Sequence, residues 1–292
     1  MTTMGIVLAL CLIPAAAEEG EHRLAVQTPR FHATLADGCL VELETAGGKV
    51  LVRPSADSPR FVVHREGTAA AAARSESPAE LAGEGEVTVR HAGFEGLADG
   101  MGKTLVRVEQ SSSDVIVKQD YRGGTPGVWG VGWSIGRIPL EYSIIVPGHS
   151  GLRLTRDMPG RQMQFDYPRS WEAQLVIVEG EGHGFYVWAE DPNGRYKRLV
   201  VERHRDGWEL SFVTENDAPF GECTSCESVP WHVNVYEGDW RVPARRYRDW
   251  AVTQFRPVPI EEQRPEWIRN IRVMVILGMD LKQLELLATR LG

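Results

Sequence analysis

From Arg23 to Tyr236 the chain runs in short stretches that alternate apolar and polar residues, and this constrains its fold more than any other feature. "FHATLADG", "CLVELETAGGKVLVRP", "EVTVRHAG", "DVIVKQDYRGG" and "AQLVIVEG" are examples. Successive side chains of a strand point to opposite faces, so such a run buries one face and wets the other. Gly, Pro, Asn and Asp interrupt the runs roughly every ten residues, the spacing of antiparallel sandwiches and barrels. "DPNG" at 191–194 offers Pro192 and a positive-φ position at Gly194 for a hairpin turn. "RDGW" around Gly207 and "TAGGK" around Gly47 and Gly48 serve the same purpose. So many strands with almost no helix predict two large packed sheets rather than a small barrel.

Four segments depart from this pattern. Residues 65–86, "REGTAAAAARSESPAELAGEGE", have no period-2 apolar face and read as a surface loop with at most a helical turn. Residues 239–255 predict a helix, with Asp239 as cap and Pro243 tolerated in the first turn. Trp240, Ala244, Tyr247, Ala251 and Phe255 share one face, while Arg241, Arg245, Arg246 and Arg248 read as a solvated face. Residues 256–267, "RPVPIEEQRPEW", read as a Pro-rich linker closing the first domain. Beyond them "IRVMVILG" is apolar on both alternating faces, as in a parallel strand covered by helices. Asp280 then caps a helix, with Gln283 as its capping-box partner and Leu281, Leu284, Leu287 and Leu291 as an apolar stripe. Residues 268–292 therefore form a βα unit that needs a larger sheet to pack in.

The start of the chain reads as an export signal over residues 1–17. An apolar run from Gly5 to Ile13 precedes Pro14 and Ala15–Ala17, too short to span a bilayer. Periplasmic or extracellular location is the resulting expectation, with no membrane span after its removal. A formal net charge of −8 argues against nucleic acid as a partner, because phosphate contacts need clustered Lys and Arg. "CTSC", holding Cys223 and Cys226, has no second pair for zinc and no following helix for thiol redox chemistry. A local disulfide or two free thiols in a loop remain, with Cys39 left over in a strand. The eight His residues are scattered without metal-ligand spacing, so neither metal nor cofactor is expected.

Two phrases carry a likeness to a known family. "YPRSWEAQLVIVEGEGHGFYVWAEDPNGRYKRL" (167–199) and "GDWRVPARRYRDW" (238–250) resemble an uncharacterised family of predicted bacterial glycoside hydrolases. That family is similar to α-galactosidases and endo-α-N-acetylgalactosaminidases. The resemblance implies a galactose-mutarotase-like β-supersandwich over residues 18–255, then a (β/α)8 barrel of which 268–292 is the first βα unit. It also implies a carbohydrate partner, the rest of the barrel as an intramolecular partner, and hydrolysis of O-glycosidic bonds by two carboxylates. Those carboxylates sit at the C-terminal ends of barrel strands, so none is expected in this chain, which alone should be inactive. A stand-alone carbohydrate-binding or structural sandwich is the alternative. A third possibility is a mutarotase- or lyase-like site of the sandwich's own, which would need a His and carboxylates converging on one sheet face.

Candidate contacts to sugar follow. Trp129 and Trp133 lie in the Gly-rich "GGTPGVWGVGW" (123–133), where exposed indoles would stack on a sugar ring and buried ones would serve the core. This stretch lacks the spacing of a phosphate loop. The hairpin at 185–199 presents Trp188, Asp191, Arg195, Tyr196 and Lys197, either to ligand and barrel rim or simply as structure. Asp280 stands where barrel active sites gather, against its reading as a helix cap. "PGHSGL" (147–152) has Leu152 in place of the second Gly of a nucleophile elbow, and reads as a β-turn.

Overall fold

A computed structural model describes residues 9–11, 23–54, 61–75, 80–83, 86–97 and 99–270, with helical positions at 282, 285–286 and 289–290. Within it the chain is mainly β, and every strand pairing is antiparallel, as the alternation predicts. Three sheets appear where two were expected. The first is a five-stranded meander through Ala9–Cys11, Arg23–Gln27, Phe31–Ala36, Cys39–Thr45 and Val50–Val52. Its edge strand Ala9–Cys11 lies inside the segment read as an export signal.

The second sheet has eleven strands, with Trp231–Glu237 between His183–Ala189 and Val115–Arg122. The third has six, in the order Gln162–Tyr167, Lys197–Arg203, Trp208–Glu215, Val128–Ile138, Val62–Arg65 and Ala71–Ala72.

One core joins all three. Leu35 and Leu43 come from the meander, Val117, Val178, Phe185 and Trp231 from the large sheet, and Trp133, Leu199, Leu210 and Phe212 from the six-stranded sheet. The Trp231 ring bridges the layers: it stacks on Trp171 at 6.3 Å and meets Phe212 at 5.1 Å. The meander adds to this core because its inward Leu and Val need the same cover as the others. Its last strand closes on the six-stranded sheet through the Arg53 N–H, which donates to the Arg137 carbonyl at 3.2 Å.

The structure bears on several further expectations. The Ala-rich segment 65–86 is not a bare loop: Ala71–Ala72 pairs with Val62–Val63, and Arg74–Ser75 and Glu80–Gly83 pair with Glu86–Ala92. Backbone pairing needs no period-2 side chains, which is why periodicity overlooked it. The Pro-rich linker holds two short helices, Ile260–Gln263 and Glu266–Arg269. Pro259 and Pro265 stand just ahead of them, where a missing N–H costs nothing. The strand expected at 271–278, and Asp280, fall outside the described residues. Cys223 and Cys226 are free thiols, Cys226 buried and pushed up to about 12 by that burial. The "PGHSGL" segment is a turn, with His149 and Ser150 at φ 51° and 70°.

The described residues divide into two compact units, 1–250 and 251–292. The helix Arg241–Phe255 begins as predicted, Asp239 Oδ1 accepting the Arg241 N–H at 2.9 Å. Its first two turns and a half cover the outer face of the eleven-stranded sheet, where Leu175, Ile177, Tyr186, Trp188 and Tyr236 form a separate apolar cluster. The buried stripe is rotated from the expected one: Ala244, Tyr247 and Trp250 pack there, while Trp240 and Phe255 are 39% and 46% exposed. Trp250 meets Trp188 at 4.9 Å, and the Tyr247 hydroxyl accepts the Gln174 N–H at 3.1 Å. No helix among the described residues is long and apolar enough to cross a membrane.

Candidate functional site

The open face of the six-stranded sheet carries the candidate site. Registers place its side chains in cross-strand rows. One row runs Asp166, Arg198, Val213, Gly132 and Val62, and a second runs Gln164, Val200, Ser211 and Ser134. The strand Val128–Ile138 puts Gly130 and Gly132 on this face, so its middle has no side chains. A groove of about 270 Å³ opens there, lined among others by His64, Gln162, Gln164, Arg198, Glu202 and Ser211. A Cβ added at Gly132 would lie 2.6 Å from the Phe212 carbonyl oxygen, so this hollow is built into the backbone.

Arg198 organises the charges. Its Nε donates to Asp166 Oδ1 at 3.1 Å and its Nη2 to Glu215 Oε1 at 3.0 Å. The guanidinium lies 5.0 Å over the Trp129 ring, which also carries the His64 imidazole at 4.5 Å. Burial, helped by Arg198, pushes His64 down to about 4, so its ring is neutral with one donor and one acceptor. Burial raises the Glu215 carboxyl above its ordinary value, against the pull of Arg198. Gln164 Nε2 donates to Asp166 Oδ1 at 2.9 Å. The result is a polar surface on which one guanidinium is held by two carboxylates beside a neutral imidazole, with hydrogen-bonding groups fixed in place for hydroxyls.

The structure separates the residues singled out from sequence. The Gly-rich stretch 123–133 is strand from Val128 onward: Trp129 is half-buried beside the groove, and Trp133 is 2% exposed in the core. Trp188 lies beneath the helix, 4.4 Å from His232. Asp191, Arg195 and Lys197 do come together in the hairpin. Asp191 accepts the N–H groups of Asn193 and Arg195 at 3.0 and 2.7 Å, and its Oδ2 meets Lys197 Nζ at 2.5 Å with both side chains buried. Burial pushes Lys197 down to about 8. Arg195 donates to the Glu227 and Glu215 carbonyls, and Tyr196 is 58% exposed. Asp280 lies outside the described residues. His64, Gln164, Arg198 and Glu215 were not singled out. Glycines two apart inside a strand were the available signal.

A second polar cluster sits on the outer face of the large sheet. His232 donates from Nδ1 to Asp114 Oδ2 at 3.0 Å and from Nε2 to Glu190 Oε2 at 3.1 Å, so both nitrogens need protons. Arg246, expected in solvent, instead reaches Asp114 Oδ1 and Oδ2 at 2.8 and 2.5 Å, and Asn234 adds a donor at 2.5 Å. Glu109 places a third ligand-type atom within 4.8 Å, but with Arg246, His232 and Asn234 on both Asp114 oxygens the group does not fit a metal. Burial opposes each charge, yet these bonds outweigh it, raising His232 and lowering Asp114. The His232 hydrogen bond likewise lowers Glu190.

The pH dependence follows from these directions. His232 contributes stability that is complete below about pH 6.5 and is lost as pH climbs through its raised value. Asp114 and Glu190 contribute stability that is complete above roughly pH 4.5 and is lost as pH falls through their lowered values. The melting temperature should therefore lose this contribution on either side of that window, and His232→Gln should flatten the alkaline fall. Parallel profiles for parent and variant would sink the assignment.

No protein-family model matches the chain, and no curated protein matches it either. Among solved structures it is similar to the α-N-acetylgalactosaminidase NagBb of Bifidobacterium bifidum in complex with GalNAc. That match has a TM-score of 0.50 and 15% identity, over 80% of this chain and 36% of that one. It is also similar to the GH36 α-galactosidase AgaA of Geobacillus stearothermophilus, an A355E D478A form in complex with stachyose. There the TM-score is 0.50 and the identity 10%, over 80% of this chain and 43% of that one. A putative aldose 1-epimerase of Escherichia coli K12 matches with a TM-score of 0.49 and 10% identity, over 75% of this chain and all of its own. This chain thus spans under half the length of the two hydrolases. At these identities the likeness shows a shared fold, that of a sandwich found in carbohydrate-active enzymes.

Proposed function

We propose that this chain is a non-catalytic, sugar-contacting N-terminal portion of an exported glycoside hydrolase acting on O-glycosidic bonds. The groove over Gly130 and Gly132 is its sugar-facing surface. The observation that carries this reading is the pre-organised polar groove, with Arg198 held by Asp166 and Glu215 beside neutral His64, on a sandwich shared with two glycosidases. A neutral pyranose needs donors and acceptors held in place, which the ion-paired Arg198 and the neutral His64 supply. Residues 268–292 begin the (β/α)8 barrel in this reading. The barrel supplies both hydrolytic carboxylates and is the sandwich's intramolecular partner. Residues 1–17 direct export.

The experiment is a heteronuclear NMR titration of this chain with galactose, N-acetylgalactosamine and stachyose. Shifts should cluster at His64, Gln164, Arg198 and Ser211. Arg198→Ala should weaken binding by about tenfold or more, since hydrogen bonds to a charged group contribute about 1.5–3 kcal/mol. Ser211→Tyr should fill the groove and abolish the shifts. Shifts elsewhere, or none, would discard the groove. Turnover of a chromogenic α-galactoside, lost on replacing a carboxylate of this chain, would discard the non-catalytic part.

A second reading has one observation in its favour: a His and two carboxylates do share a polar sheet face, as an epimerising sandwich requires. Both carboxylates, however, are engaged by Arg198. Polarimetry on freshly dissolved galactose distinguishes the two, because accelerated mutarotation that Glu215→Gln removes would support catalysis.

A further inference from the structure

A second cavity, of about 540 Å³, lies where the turns at 28–30, 46–49 and 180–182 meet the end of the strand Trp231–Glu237. Its wall holds three groups capable of positive charge, Arg30, Lys49 and His183, and one acidic side chain, Glu237. The chain carries 40 Asp and Glu against 32 Lys and Arg, so cations left without a carboxylate stand out. Neither Arg30 nor Lys49 has an acidic partner among the described residues. Lys49 Nζ instead meets His183 Nδ1 at 3.2 Å.

The ring behind Lys49 is fixed in place. The Tyr142 hydroxyl donates to the Val50 carbonyl at 3.1 Å and stands 3.0 Å from His183 Nε2, so there it accepts a hydrogen bond from the imidazole N–H. That leaves Nδ1 as an acceptor for Lys49. In the other tautomer Nδ1 donates to the Glu181 carbonyl, 2.8 Å away, and Lys49 loses its acceptor. In both cases at least two ammonium donors of Lys49 are unspent. An uncompensated guanidinium and ammonium at one cavity favour an oxyanion, and the guanidinium offers paired donors to it. The volume falls within the range of small-molecule sites, about 300–1,000 Å³, and far exceeds a bare ion. Glu237 and Thr45 can serve hydroxyls.

We infer that this cavity binds an acidic saccharide, with Arg30 and Lys49 holding its carboxylate or sulfate group. The anion-binding step stands on these cations alone, whereas the saccharide part rests on the carbohydrate reading above.

The test is a calorimetric and NMR titration of the chain with galacturonate, galactose 6-sulfate, galactose and inorganic sulfate. Both acidic sugars should bind at least tenfold tighter than galactose and shift Arg30, Lys49 and His183 resonances, and the one bound tighter identifies the anionic group. Affinity should fall with added salt, because exposed charges are screened over about 10 Å at 0.1 M. Arg30→Ala with Lys49→Ala should abolish the preference, and Glu237→Gln should strengthen it. Arg198→Ala should leave it intact, which separates failure here from failure of the groove. Equal binding of acidic and neutral sugars, or a preference surviving the double substitution, would overturn the inference. Inorganic sulfate binding as tightly as the sugars would overturn its saccharide part.

Discussion

Replacing Asp114 with Ala is expected to lower stability by about 3–5 kcal/mol, the cost of leaving buried charge without its partner. Its side chain is fully buried and joins His232, Asn234 and Arg246, so its loss leaves the Arg246 guanidinium without its carboxylate and His232 with Glu190 alone. Chemical denaturation read by tryptophan fluorescence would measure this, because Trp188 and Trp250 pack beside the cluster. The combined change Asp114→Leu, His232→Phe and Arg246→Met should recover much of the loss, since well-packed apolar groups often replace buried ion networks at little cost. A single Asp114→Ala variant within about 1 kcal/mol of the parent would show the charges to be solvated after all.

Lys197→Met should have an effect of the same size, about 3–5 kcal/mol, by a separate route. Lys197 and Asp191 are both almost wholly enclosed, and the ammonium also lies 4.3 Å from the centre of the Tyr167 ring. Without it the Asp191 carboxylate stays buried with only the turn N–H groups of Asn193 and Arg195. Adding Asp191→Asn removes that charge while keeping an acceptor for the turn, so the double variant should regain more than half of the loss. Equal stabilities for single and double variants would mean that the pair is uncoupled.

The legible parts of this fold were those written in local sequence. Alternation exposed the strands, Gly194 and the 147–152 stretch their turns, and Asp239 the start of the helix. What escaped depended on distant partners. Arg246 looks solvated on a helical wheel because Asp114, which draws it inward, lies 132 positions away. The meander at 23–52 is no different in pattern from other hairpins, and nothing local says that it forms a separate sheet. The groove was hidden for a related reason: Arg198, Val213 and Gly132 are neighbours only through strand register. On sequence alone Trp133 stays open between sugar stacking and the core because its glycines carry no alternation, yet in a strand those same glycines clear one face while the indole fills the other.

The position of Trp231–Glu237 has a consequence for how the molecule comes into being. This strand is among the last of the sandwich to leave the ribosome, yet it sits in the middle of the widest sheet, joining His183–Ala189 to Val115–Val117. Until it arrives, two half-sheets present bare edges to each other and to neighbouring nascent chains, the situation in which β proteins aggregate. Folding should therefore wait for about residue 237, and a fragment stopped before it should be the insoluble one.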